Sequence, residues 1–428
     1  MLVHKKIRRK CANCLSKQRR YAILNCNYVC RGANGQNVEK GTVKVAHHDI
    51  TSETIFDREE NVAPLNIIAL DSAKELGAKI DAHLTQWAQK CGRDEKTFLV
   101  EAECPRFSSG DGKGLIKSSI RGDDLFIIVD VGNYSCKYNL YGRENCMSPD
   151  DHYQDLKRII QAAGGKAYRI SVIMPILYGG RQHRRNYRES LDCAVALQEL
   201  RDMGVSNIVT FDAHDPRVCN AIPLTGFDNV MPSYQVLKRL FRDFPDLKAD
   251  REHLMIVSPD EGALNRNMYY ASCLGVDLGM FYKRRDYSRV VNGRNPIVAH
   301  EYLGNPVAGR DIFIADDIIA SGESMLDIAY ELKKRNAGNI FCYATYATFT
   351  AGLGSFDKAV EEGVVTGVLG TNLTYRSPEL LSRPWFHEVD VSKYIAYFIA
   401  ALNHNVSVST LIDSHEKIKQ LLAKRQNG

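Results

Sequence analysis

The residues best suited to chemistry are Asp316 and Asp317, two adjacent carboxylates, and the run Ala320-Ser321-Gly322-Glu323-Ser324 that follows them. Like charges repel, so the carboxylates cannot hold a phosphate. They can accept hydrogen bonds from two vicinal hydroxyls of a sugar. The hydroxyl-rich run can hold a phosphate if it opens a helix, because first-turn N–H groups and the helix dipole favour an anion. A sugar phosphate answers both halves; the bland alternative is a solvated acidic turn capping an ordinary helix.

Three more stretches carry candidate groups. Arg181-Gln182-His183-Arg184-Arg185 is a basic cluster, equally a phosphate site or a solvated face. Asp212-Ala213-His214-Asp215 sets a histidine between acids, and Ser258-Pro259-Asp260-Glu261-Gly262 sets Asp260 in an equivalent place. Imidazole plus carboxylate suits a divalent cation carried in with nucleotide phosphates. Lys283-Arg284-Arg285-Asp286-Tyr287-Ser288 reads as a polar loop able to close over substrates, or as an exposed charged turn. No G-x-x-x-x-G-K-[ST] occurs, so the chemistry is not that of a P-loop enzyme.

These stretches sit after short apolar runs. Ile312–Ala315, Ile170–Met174, Asn207–Phe211 and Leu254–Val257 read as strands buried on both faces. Leu264–Leu274 and Met325–Leu332 recur at helical spacing, as do Ala73–Trp87, Leu156–Ala163 and Leu191–Met203. Asn66–Leu70, Phe98–Glu101, Leu125–Val129, Leu278–Phe281, Ile340–Ala344 and Val364–Leu369 complete the expected strands. Strands alternating with helices give an α/β fold with mainly parallel sheets flanked by helices. The rhythm repeats, which divides the chain into residues 1–52, 53–235 and 236–428. Loops after strand ends are where open parallel sheets place ligands.

At 428 residues the chain is long enough for two or three domains, and 44% hydrophobic with 25% charged residues is a globular composition. No apolar run reaches membrane-spanning length, and the N-terminus lacks an apolar signal region. The twelve scattered cysteines suit reduced thiols in the cytoplasm rather than a disulfide framework. Residues 1–48 hold eleven Lys/Arg against Glu39 alone, a charge of +10, so the rest carries −5 of the total of +5. A nucleic-acid role for that acidic body is unsupported. In the basic extension Cys11, Cys14, Cys26 and Cys30 are spaced as C-x2-C-x11-C-x3-C. That fits either a small zinc-binding unit or a disordered tail with free thiols.

Taken together, the stretches resemble ribose-phosphate pyrophosphokinases, whose fold is two tandem type I phosphoribosyltransferase-like domains. The resemblance runs from about Arg106 to Leu411 and includes Ser407-Val408-Ser409 near the C-terminus. It implies transfer of a diphosphoryl group from Mg-ATP to ribose 5-phosphate, giving phosphoribosyl pyrophosphate and AMP. By that resemblance Asp316, Asp317, Ala320, Ser321, Gly322, Glu323 and Ser324 bind ribose 5-phosphate. Arg181, Gln182 and Arg266 bind ATP, with Phe107, Ser109 and Asp111 completing a neighbouring subunit's ATP site. Lys283, Arg285 and His214 are catalytic, and His214 with Asp260 serves Mg²⁺. A homo-oligomer built from dimers, up to a hexamer, is implied. Glu323, Ala263, His183 and Ser109 depart from the family pattern, which bears on nucleotide preference more than on reaction type. Two alternatives stand beside this reading: a phosphoribosyltransferase that consumes phosphoribosyl pyrophosphate, and a non-catalytic regulatory homologue.

Overall fold

The computed structural model describes residues 56, 61–185, 187–285 and 297–426, with side chains omitted at 283–285, 297–300 and 426. The four N-terminal cysteines and the rest of the 1–52 extension lie outside the described residues, as does 286–296.

Two sheets carry the site. The first has five parallel strands in chain order: β1 (Leu65–Ala69), β2 (Asp124–Ile128), β3 (Arg169–Ile173), β4 (Asn207–Phe211) and β5 (Gly226–Val230). The second contains β6 (Leu254–Ser258), β7 (Asp277–Arg285), β8 (Ile297–Leu303), β9 (Asp311–Ile319), β10 (Ile340–Ala347), β11 (Gly367–Thr371) and β12 (Phe386–Val389). Its order is β8-β7-β6-β9-β10-β11-β12, with only β7–β8 antiparallel. β6 and β10 are buried along their whole length, as their unbroken apolar character requires.

Helices cover the sheets. Those used below are α1 (Lys74–Lys90), α2 (Pro149–Ala163), α3 (Asp192–Asp202), α4 (Ser233–Asp243), α5 (Leu264–Leu274), α6 (Glu323–Lys334), α7 (Gly354–Glu361), α8 (Ser392–Asn403) and α9 (His415–Gln426). α2 begins before its apolar repeat because Ser148 and Asp151 form a capping box and Pro149 occupies the first turn.

The halves exchange helices. α8 lays Tyr397 on Trp87 of α1, with ring centres 4.6 Å apart. Asn403 Nδ2 donates to Asp124 Oδ2 at 3.0 Å. α4 follows the first sheet, yet His387 on β12 lies 2.7 Å from its Asp243. The division expected at 235/236 lies inside α4. One core cluster joins Ile67, Val209, Phe211, Phe313, Tyr343 and Ile395 from both halves.

Three other expectations change. Phe98–Glu101 is reduced to one parallel bridge, Ile67↔Leu99, at the outer edge of β1. Lys283-Arg284-Arg285 is not a loop: it ends β7 and pairs with β8, Lys283↔His300 and Arg285↔Ile297. The pairing of β7 with β6 ends at Met280, so this stretch has a strand on one side only and tolerates the polarity. Asp316 and Asp317, expected in a loop, lie within β9.

Candidate active site

The strand order explains why the pocket lies where it does. β6 pairs with β7 on one side and β9 on the other, so chain direction across the sheet reverses there, the place where open α/β sheets bind ligands. The β6–β9 ladder stops at Val257↔Ile314, whereas β9–β10 continues to Ile319↔Ala347. Residues 316–319 are thus held as strand from one side only. The open side faces a cavity of about 310 Å³ lined by Asp260, Arg266, Asp316, Asp317, Ser321–Ser324, His214 and Arg181.

The phosphate loop runs from the end of β9 into α6. Gly322 has φ +75°, and a Cβ there would overlap the Phe356 ring of α7, so both conformation and space require glycine. The Gly322 N-cap makes no side-chain cap bond, Ser321 Oγ accepts from Glu323 N at 3.4 Å, and Met325 N donates to Gly322 O. Glu323 stands in its first turn and lines the cavity.

The two aspartates are held differently. Burial, then the charge of Asp317, pushes the Asp316 carboxyl up to about 8. Burial would raise Asp317 too, but the His214 hydrogen bond and the Arg266 and His214 charges outweigh it and hold it near 2. The two carboxyls are thus shifted in opposite directions. His214 Nδ1 lies 2.6 Å from Asp317 Oδ2, a contact that raises the imidazole above its usual value despite partial burial.

Arg266 is on the wall, but its guanidinium is largely committed. Nε lies 2.7 Å from Asp212 Oδ2, and Nη1 lies 3.5 Å from Asp316 Oδ1. Asp212 also accepts from Thr345 Oγ1 at 2.6 Å, and its backbone has φ +39°. This uncommon conformation turns the chain out of β4 and presents His214. Thr345 and Asn267, which ties α5 to β9 by bonds to Ala315 N and O, are supporting residues that sequence reasoning missed. Both are polar residues inside otherwise apolar stretches, and that was the available signal.

A second cavity of about 310 Å³ adjoins the first and shares Arg181, His214, Asp317 and Ile318 with it. Gln182 lines this second space, while its amide donates to Ser190 O at 2.9 Å. Asp260 Oδ1 accepts from Ala263 N at 3.1 Å and lines the first cavity with His214.

Three expected residues are not brought here. Phe107, Ser109 and Asp111 form a separate turn, in which Phe107 N donates to Asp111 O and Ser109 Oγ to Asp111 Oδ2, both at 2.7 Å. Phe107 is 56% exposed and lines neither cavity. Lys283 and Arg285 are placed only as backbone.

Residues 65–204 match the family model for the N-terminal domain of ribose phosphate pyrophosphokinase, and residues 227–354 that for the phosphoribosyl transferase domain. The ribose-phosphate pyrophosphokinase of Vibrio cholerae is 28% identical over 320 residues, covering 74% of this chain and 92% of that protein. That of Pasteurella multocida is 28% identical over 317 residues, with 73% and 91% covered. The crystal structure of phosphoribosylpyrophosphate synthetase from Mycobacterium smegmatis superimposes with a TM-score of 0.64 at 18% identity, covering 80% of this chain and 99% of that one.

Proposed function

The chain belongs to the ribose-phosphate pyrophosphokinase family, and we propose that it transfers the β,γ-diphosphoryl group of ATP to the anomeric hydroxyl of ribose 5-phosphate. The anomeric oxygen bonds to the β-phosphorus as the bond from that phosphorus to the α–β bridging oxygen breaks. AMP leaves with the bridging oxygen, and the hydroxyl proton is released.

The observation that carries this reading is the meeting, around one cavity, of an α6 N-terminus, the Asp316/Asp317 pair and His214, with a second cavity opening beside it. Ser321, Gly322 and Ser324 take the 5-phosphate, with Ala320 and Glu323 shaping the loop. The Asp316/Asp317 pair takes the 2- and 3-hydroxyls. Nucleotide occupies the adjoining space beside Arg181 and Gln182, and Arg266 acts through the charges of Asp212 and Asp316. Positioning of this kind supplies most of the rate in phosphoryl transfer.

Lys283 and Arg285, on the β7–β8 arm, are assigned to charge that develops on the transferred group. A divalent cation, Mg²⁺ by resemblance, neutralises nucleotide phosphate charge when bound. His214 and Asp260 fit it, since such ions are held by one or two protein groups with phosphates and water supplying the rest. The exposed Phe107 turn, with Ser109 and Asp111, is assigned to a neighbour's nucleotide pocket in a homo-oligomer. The proposed compartment is the cytoplasm; no helix among the described residues is long and apolar enough to cross a membrane.

Phosphorus NMR of the purified chain with Mg-ATP and ribose 5-phosphate tests the reaction. AMP and a 1-diphosphorylated ribose are expected in equal amounts. ADP in place of AMP would overturn the assignment.

A further inference from the structure

A third cavity, of about 550 Å³, shares no lining residue with either space of the candidate active site. One wall is α4 and another the first turns of α8, and the end of β12 and the start of α9 contribute to the rest. Five cations line it: Lys238, Arg239 and Arg242 of α4, Lys393 of α8 and Lys417 of α9. The α4 cations are three and four positions apart, so they share one stripe of that helix. The chain beyond residue 48 carries a net −5, so this gathering runs against the charge of the body.

The carboxylates nearby are already engaged. Glu388 and Asp390 line the cavity, which leaves an excess of three positive charges. Glu388 Oε2 accepts from Arg376 Nε at 2.7 Å, and Asp390 Oδ1 accepts from Ser392 Oγ at 2.6 Å and Asn372 Nδ2 at 2.9 Å. Asp243 serves both arginines, with Arg239 Nε 2.6 Å and Arg242 Nε 3.0 Å from its oxygens. These contacts hold each guanidinium by Nε and leave the Nη groups for another acceptor. Among the described residues Lys238 and Lys393 form no ion pair, and Lys393 Nζ stands 6.0 Å over the Tyr397 ring. A solvated basic face would spread such charges over an open surface. Here they stand on separate elements around one space of the size that holds a small ligand.

We infer that this cavity binds a compact oligophosphate, an anion of three or more charges, either inorganic or the phosphate chain of a nucleotide. Guanidinium Nη groups match phosphate oxygens two at a time, and the lysines add point charges. The bound anion relieves the mutual repulsion of the five cations.

Hydrogen exchange on the full chain, with and without tripolyphosphate, reads where the anion sits, because a ligand of the folded state slows exchange around its site. Exchange is expected to slow in α4 and in the first turns of α8. In Lys238→Glu/Lys393→Glu, which turns the excess of three into a deficit of one, that slowing should vanish and affinity fall by about tenfold or more. Lys238→Gln/Lys393→Gln, with helix-forming replacements, reads the same loss at smaller amplitude should the reversed pair not fold. Slowing confined to residues 316–326, or slowing of α4 and α8 that survives in both double variants, overturns the inference. So does slowing by ATP but none by tripolyphosphate. If both slow α4 and α8, the one that acts at the lower concentration identifies the source of the phosphates.

Discussion

His214 and Asp317 are 103 positions apart in the chain and meet across 2.6 Å, with imidazole Nδ1 against carboxylate Oδ2. The contact joins the loop after β4 in one sheet to β9 in the other, and so couples the sugar side of the cavity to the nucleotide side. Asp317→Asn is accordingly expected to weaken ribose 5-phosphate and nucleotide binding together, whereas Asp316→Asn weakens the sugar alone. Titration calorimetry with each ligand separates the two. An Asp317→Asn effect confined to the sugar would show that the His214 contact does not bear on the nucleotide.

The same contact sets a pH dependence. Asp317 raises the folded-state pKa of His214, so its stabilisation is full below the ordinary histidine value and is lost as pH rises through the raised one. In Asp317→Asn, imidazole NMR should place the His214 titration lower than in wild type. An unmoved titration would mean that the pair does not interact as charges.

Asp316 carries the opposite dependence. Its folded carboxyl keeps a proton up to about 8, while the unfolded chain loses it near the ordinary 3.8. Between those values the folded state holds the extra proton, so stability falls as pH rises across the window. Asp316→Asn removes this penalty. Melting at pH 8 should rise by several degrees over wild type, with little difference at pH 4. Parallel melting curves against pH would refute the assignment.

Gly322 has no tolerated replacement. Gly322→Ala meets both the left-handed backbone, which costs about 1–2 kcal/mol, and the Phe356 ring. Phe356→Leu should relieve the steric part only, so the double variant recovers some stability but not full ribose 5-phosphate affinity. Full recovery of both would mean that the ring, not the backbone, was the constraint.

Lys283, Arg284 and Arg285 end β7, where its ladder with β8 shifts register between Arg284 and Arg285. Lys283→Ala and Arg285→Ala are each expected to lower kcat by on the order of 10²–10³, with less effect on KM. Arg284→Ala should cost much less. Equal, small effects in steady-state kinetics would place the reaction's cations elsewhere, with Arg181 the first candidate.

What the sequence determined by itself was local. Asp316 to Ser324 is one contiguous run, so its chemistry could be read without knowing any neighbour, and the apolar runs before each loop marked the strands of both sheets. Leu264–Leu274 was legible to the residue, because its repeat is closed by Gly275 at φ +67°. Tertiary structure decided the rest. β9 runs on past Asp317 because β10 continues to pair with it after β6 has stopped, a matter of sheet order that no local pattern encodes. The same holds for Arg266, whose guanidinium is taken by Asp212 from the other half of the fold. β5, with its polar Asp228 and Asn229, lacks the apolar run that marks a buried strand, and it forms because β4 offers it a partner edge. His183 and His214 lie 5.2 Å apart only because the loops after β3 and β4 converge at one end of the first sheet, and that proximity belongs to strand pairing rather than to either sequence stretch.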